Sequence, residues 1–509
     1  MNPKSDRKEP GQDARMITGL TLPLLRERSP LEGPLWVAGR SSETPPVWGV
    51  LSKGAGAVTR SAWIMDVRTV LPAIALGWFI LSAGLLGGER GHAAEAVSVI
   101  DAAGAGRHVA ALADDALEGR EAGSRGGRAA GAYIVETLRG AGLRPAGDEG
   151  TYYQRFGTMR NILALVPGSD PACARELVVV GAHYDHVGYG TAANSYGPTG
   201  LIHNGADDNA SGVAGVLEIA EVLQAMPAKP RRPVLLAFWD GEEKGLLGSW
   251  HFVRVRPQPL RDLRPVFVVN LDMIGRLRGE RVEIYGGRTM TGLRRILTET
   301  NRETGLELLF DWDIVDDSDH FPFIESRVPT VMLHTGLHDE YHRPSDDVQL
   351  VNTAGVETVA RLAMGVVTAV ADRPGTLAGF RDASRREKNA HRDTLERVLP
   401  AALVEQRVRW GMSTRSDAGD PSAPVVVRVV TDSPLERAGL RCGDRIIAID
   451  GEPFATQATM LQRMASAGDA LTLQIDRAGR ILEVHVVSGE TPASTDQAPA
   501  AGDEPPRGL

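Results

Sequence analysis

Between Asn161 and Ala371, short apolar runs rich in β-branched residues alternate with segments of helical period. No other feature of the chain narrows its fold as much. Asn161–Val166, Glu176–Ala182, Pro233–Trp239, Val266–Leu271, Val282–Tyr285 and Thr330–Leu333 read as strands. Most are continuously apolar rather than alternating, which is the pattern of strands buried on both faces. Residues 107–115, 124–143 (stopping near Gly140), 211–226, 293–304 and 351–371 have helical spacing. Strands of this kind between helices predict an α/β fold. Its central sheet is expected to be mostly parallel and covered by helices on both faces.

The flanks differ. Residues 1–64 are rich in Pro, Gly, Arg and Ser without a sustained apolar period, and read as a disordered or non-native N-terminal extension. Residues 65–96 combine a short start ending in Arg68, an apolar run over 69–88 and Ala94-Glu95-Ala96. That is the pattern of an export signal. The run is also long enough to cross a bilayer, so an uncleaved anchor is the second reading. Either predicts a secreted or periplasmic protein that meets a membrane only through this segment. The catalytic unit is expected over 97–373, followed by a charged helical connector over 374–400. The connector implies two cores that move independently. Residues 401–489 carry short alternating strands and tight turns, and 490–509 read as a disordered tail. A net charge of −9 over 509 residues argues against a nucleic-acid partner. Two distant cysteines, Cys173 and Cys442, exclude a four-cysteine metal site.

The chemistry gathers where strands end. Glu176–Ala182 runs into His183-Tyr184-Asp185, a histidine with a carboxylate in reach of its ring N–H. Asp207 and Asp208 are adjacent just before a helix. One of them can be an acidic N-cap, but not both. Pro233–Trp239 leads to Glu242 and Glu243, where one glutamate can bind a metal while its neighbour acts as a base. Val266–Leu271 delivers Asp272, costly to bury unless paired or coordinated. Tyr341 and His342 follow the strand at Thr330–Leu333. In an open α/β sheet such ends converge on one crevice. The mixed His and carboxylate set suits zinc, with cobalt or manganese as substitutes. Its surplus of carboxylates suggests two ions sharing a bridging group.

The segments GAHYDHVG, NGADDNASG, DGEEKGLLGS, LDMIGR and YHRPSDD, in this order, resemble the di-zinc aminopeptidases of the bacterial leucyl aminopeptidase and glutamate carboxypeptidase kind, with the zinc exopeptidase fold. The resemblance covers about residues 100–372. It implies that His183 and Asp272 hold one Zn2+, that Glu243 and His342 hold the other, and that Asp207 bridges them. It further implies Glu242 as general base, Asp185 as the group orienting His183, Tyr341 as a stabiliser of the developing oxyanion, and a cis peptide between Asp207 and Asp208. The expected activity is removal of N-terminal residues from peptides. A dipeptidase or carboxypeptidase, a single-zinc glutaminyl cyclase and a non-catalytic peptide-binding protein stay open beside it.

The C-terminal region resembles a PDZ domain on Ser433-Pro434 through Leu440 and Gly443-Asp444 through Gly451. Such a domain implies a C-terminal peptide partner added at a sheet edge. Trp410, Gly411 and Met412 stand where its carboxylate would be held, and differ from the usual Gly-Leu-Gly-Phe pattern.

Overall fold

The computed structural model describes residues 100–400 and 409–488. The export signal or anchor and both expected disordered ends lie outside these residues. The N-terminal part of the described chain forms a nine-stranded sheet. Its strands are β1 (Arg144–Pro145), β2 (Tyr153–Phe156), β3 (Met159–Val166), β4 (Glu176–His183), β5 (Val234–Trp239), β6 (Arg264–Leu271), β7 (Arg281–Tyr285), β8 (Glu307–Phe310) and β9 (Thr330–His334). They lie in the order β1-β3-β5-β4-β6-β9-β7-β8, with β2 paired to β3. The four central strands β5, β4, β6 and β9 are parallel. The sheet turns antiparallel where β3 joins β5 and where β7 joins β9. It is therefore mixed: parallel through its centre, where the chemistry sits, and again between β7 and β8 at one edge.

Burial explains why these segments became strands. β5 is buried at all six positions, and β4 and β6 from their second or third residue onward. One face packs against helices Ala102–Leu112, Arg125–Gly140, Gly212–Ala225 and Thr353–Ala371. The other packs against Phe252 of helix Leu247–Arg254 and Phe323 of helix His320–Glu325. Helices Arg125–Gly140 and Thr353–Ala371 start at a side-chain cap. Ser124 accepts the Gly127 N–H at 3.0 Å, and Asn352 accepts the Gly355 N–H at 2.9 Å. Thr353–Ala371 is the one described helix long and apolar enough to cross a membrane by length and composition. Twelve of its residues are buried in this core, which accounts for its hydropathy.

Residues 412–487 form a six-stranded antiparallel sheet: β10 (Met412–Asp417), β11 (Asp420–Val429), β12 (Arg445–Ile449), β13 (Glu452–Pro453), β14 (Ala470–Arg477) and β15 (Arg480–Val487). Its core includes Trp410, Val426, Ile446, Met460, Met464 and Leu473.

The two cores do not hang on a free connector. Within 374–400 only Asp382–Arg386 and Asn389–Glu396 are helical, and the segment is fastened to the first core. Arg381 donates its N–H to Thr289 O at 2.8 Å, and Asn389 binds Asp311 and Asp313. The C-terminal core then docks directly. Arg288 lies over the Trp312 ring at 3.7 Å and reaches Glu387 and Asp417. Arg294 pairs with Asp476 at 2.6 Å, and the Leu308 N–H reaches Ala478 O at 2.9 Å. A Cβ on Gly479 would fall 2.3 Å from the Leu308 side chain, so the turn at 478–479 needs its glycine to come this close. Against the expected independence of the cores stand these direct contacts, to which the connector adds Glu387, paired with Arg288 and Arg381, while its pairs at Asp382, Arg385 and Lys388 are more exposed.

Candidate metal centre

Four parallel strand ends deliver the site. His183 is the last residue of β4, Asp272 follows β6 directly, Glu242 and Glu243 lie just past β5, and His342 sits on the loop after β9. The side chains meet at Asp208. Its Oδ1 is 3.4 Å from His183 Nε2, which is also 3.4 Å from Asp272 Oδ1. Its Oδ2 is 3.1 Å from His342 Nε2, which is 3.2 Å from Glu243 Oε2. Two ligand groups of metal-binding size thus share one carboxylate: His183, Asp208 and Asp272, and His186, Asp208, Glu243 and His342.

The shared carboxylate is Asp208, where Asp207 was expected. Asp207 is turned away and already engaged. Its Oδ1 accepts the Gly275 N–H at 2.6 Å and the Ser211 hydroxyl at 3.0 Å, and its Oδ2 faces His338 Nε2 at 3.2 Å. The cis peptide likewise falls one residue later, at Asp208–Asn209. Asp346 fixes this turn by accepting the N–H groups of Asp207 and Asp208, both at 3.0 Å, while Arg276 holds Asp346 at 2.9 Å. Asn209 ties the turn to the end of β6 through Leu271 O and the Met273 N–H.

His186 was not anticipated. It is 1% exposed, and its Nδ1 stands 2.8 Å from Glu243 Oε1. The only sequence signal was a second histidine in His183-Tyr184-Asp185-His186. Asp185 also plays a different part from the one its spacing suggests. Its carboxylate is 3.8 Å from His183 Nδ1, whereas its backbone carbonyl is closer, at 3.2 Å. The carboxylate accepts the Glu242 N–H at 3.0 Å and so holds the turn that carries the paired glutamates. On the far side, Ser318 donates to Asp272 Oδ2 at 2.5 Å and is held by Asn270 at 2.8 Å.

The electrostatics are lopsided. Asp185, Asp208, Glu242, Glu243, Asp272 and Asp319 crowd a site whose nearest imidazoles are His183, His186 and His342. Burial pushes the Glu242 carboxyl well up, and Glu243, Asp319 and Asp272 add to this against His183. Burial also raises Asp319, to about 7. Burial opposes the charge on His342, but Asp208 and Glu243 outweigh it and hold its pKa at about 10. The Tyr341 phenol is pushed up by burial and then by Asp208 and Glu243, so it stays protonated. Its ring stacks on His342 at 4.0 Å. Buried carboxylates in such surplus are costly unless cations neutralise them.

The profile of peptidase family M28 matches residues 161–367, and that of the PDZ domain matches residues 425–477. The chain carries an M28 peptidase domain followed by a PDZ domain. Among curated proteins, the regulator of sigma-E protease RseP of Escherichia coli is 31% identical over 88 residues, which are 17% of this chain and 20% of that protein. The chain spans about a fifth of the length of the curated relatives it matches. Among solved structures, the LapA aminopeptidase of Legionella pneumophila is 18% identical, with 55% of this chain and 75% of that one covered and a TM-score of 0.47. BSAP, a zinc aminopeptidase from Bacillus subtilis, is 15% identical, with 54% and 97% covered and a TM-score of 0.44. A glutaminyl cyclase from Porphyromonas gingivalis is 22% identical, with 53% and 98% covered and a TM-score of 0.44.

In the PDZ domain, the Trp410 ring is part of the core, and its Nε1 donates to Met464 O at 2.9 Å. Gly411 has φ +86°, and a Cβ there would lie 2.2 Å from the Ser433 Cβ, so the turn requires glycine. Met412 opens β10, whose Thr414 carbonyl accepts from Gln457 of helix Gln457–Ser466 at 2.9 Å.

Proposed function

We propose that this M28 domain is a two-metal exopeptidase that removes residues from the free N-terminus of peptides. The double meeting at Asp208 carries this reading, because one carboxylate faces two separate sets of nitrogen and oxygen donors. The donor set fits Zn2+, with Co2+ or Mn2+ as substitutes. His183 and Asp272 would hold one ion and Glu243 and His342 the other, with Asp208 between them and His186 beside the second. Ions bound there supply Lewis acidity toward a peptide carbonyl and a water.

The chain's own groups do the rest. Glu242 Oε2 lies 4.0 Å from His183 Nε2, and its backbone is fixed by Asp185. Its raised pKa suits a base that takes a proton from water and returns it to the leaving amine. Tyr341, held protonated, is a hydroxyl donor for the oxyanion that develops at the carbonyl. The acidic surplus favours a substrate whose amine is charged. The PDZ domain, with its Gly411 turn and the edge of β10, is read as a site for the C-terminal end of a peptide. The apolar run over 69–88 supports export or anchoring outside the cytoplasm.

A panel of aminoacyl-nitroanilides tests this, with free dipeptides, N-acetylated peptides and glutaminyl peptides alongside. Turnover of free-amine aminoacyl substrates, abolished by N-acetylation and by chelation, is the expected result. Cyclisation of the glutaminyl peptide with no hydrolysis would replace this reading with a cyclase.

A further inference from the structure

Arg120 precedes the M28 match and is 1% exposed. A guanidinium has five N–H donors in a fixed fork. All five are used here, and every acceptor is a backbone carbonyl. Nε donates to Tyr184 O at 2.9 Å. Nη1 donates to Leu112 O at 2.7 Å and Asn204 O at 2.5 Å. Nη2 donates to Gly205 O at 3.0 Å and Asp208 O at 3.5 Å.

Four of those five carbonyls belong to the segments that carry the donor set; the fifth, Leu112 O, ends the helix Ala102–Leu112. Tyr184 lies between His183 and His186, and Asn204 and Gly205 lead into Asp208. The backbone of Arg120 reinforces the link. Glu118, Gly119 and Arg120 all have positive φ, which turns the side chain inward. Gly119 O then accepts the Gly188 N–H at 3.0 Å, and Arg120 O accepts the His186 N–H at 3.3 Å. The charge has no hydrogen-bonded carboxylate, but Asp208, Asp346, Asp185 and Glu243 face it. Lysine could not replace it, since its three donors radiate from one point and cannot span carbonyls on separate segments.

We propose that Arg120 is a positioning residue for the metal centre. It pins the His183–His186 segment to the turn that carries Asp208, so that imidazole and shared carboxylate stand at ligand separation before any ion arrives. The inference rests on the reading of Asp208 and His183 as ligands.

Arg232 is the control. Its side chain is also fully buried, and it donates to Val370 O, Arg373 O and Gly375 O as well as to Glu176, but it lies at the opposite end of β5 from the site. Arg120→Lys and Arg232→Lys, each in the full chain, are compared by zinc affinity against a competing chelator and by the absorption spectrum of the Co2+-loaded protein. Both substitutions are expected to lower Tm. Only Arg120→Lys should weaken zinc binding, by at least about tenfold, and alter the Co2+ spectrum. Wild-type affinity and spectrum in Arg120→Lys would overturn the inference. If that variant does not fold, hydrogen exchange of the wild-type protein decides. The amides of 184–188 and 205–209 should exchange as slowly without zinc as with it. Fast exchange that slows only when zinc is added would overturn the inference. A wild-type chain that takes up no zinc would instead overturn the parent reading.

Discussion

Arg288 meets Asp417 through two hydrogen bonds of 2.8 Å, and that pair joins the peptidase core to the PDZ core. Asp417 is 2% exposed and has Arg445 as its second partner. Removing Arg288 leaves Asp417 with Arg445 and Glu387 with Arg381, so each of these carboxylates loses part of its compensation. Arg288→Met should therefore cost about 3 kcal/mol of stability in urea unfolding. Zinc content should not change, because no proposed ligand touches Arg288. A chain ending at residue 375 keeps every ligand but uncovers Leu308, Phe310 and Trp312, buried in the intact protein. It should bind zinc yet melt earlier and self-associate, as light scattering would show.

The same bracket is sensitive to acid. Burial opposes ionisation of Glu387, but hydrogen bonds from Arg381 and Arg288 hold its pKa down at about 2 against an ordinary 4.5. Asp417 is held well below its usual range by Arg288 and Arg445. A depressed carboxylate stabilises the fold above its unfolded pKa and loses that contribution as pH falls through its folded pKa. Stability should fall between about pH 4.5 and pH 2. Glu387→Gln should flatten part of this slope, measured as Tm against pH. An identical slope in the variant would remove Glu387 from the account.

Much of this architecture was legible because burial on both faces writes a continuous apolar run. β3 to β6 and β9 were found within one or two residues for that reason, and β7 was found as closely although its buried positions alternate with more exposed ones. β1, β2 and β8 were not, since Arg144–Pro145, Tyr153–Phe156 and Glu307–Phe310 are short and partly exposed. Spacing located the carboxylate pair Asp207–Asp208, but it cannot tell which of two adjacent side chains a turn points inward. That choice is made by Asp346 and Gly275, which lie far along the chain. His186 was hidden for a similar reason, as its partner Glu243 comes from another strand. The docking of the PDZ domain depends on Arg288, Arg294 and Leu308, none of which carries a local pattern.

The two neighbouring aspartates give a direct comparison. Asp208→Asn should lower zinc content, because the shared carboxylate is lost. Asp207→Asn keeps the Oδ1 acceptor for Gly275 and Ser211 and should retain wild-type metal content. Metal analysis of the two purified variants checks this. The opposite ranking would restore Asp207 as the bridge.

Glu242→Gln should leave zinc binding nearly intact and lower kcat by about 10²–10⁴-fold, the range for removing a general base. The amide keeps the shape of the side chain, and the Glu242 N–H still reaches Asp185. Single-turnover kinetics on an aminoacyl-nitroanilide would show the loss in the chemical step. A wild-type rate would exclude Glu242 as the base.

The central claim is that Asp208 joins two metal sites, and native mass spectrometry of the zinc-titrated full chain tests it most directly. The account predicts two Zn2+ per chain, falling in His183→Ala to one that is still held by Glu243 and His342. A wild-type protein that saturates at one Zn2+, unaffected by His183→Ala, would contradict it.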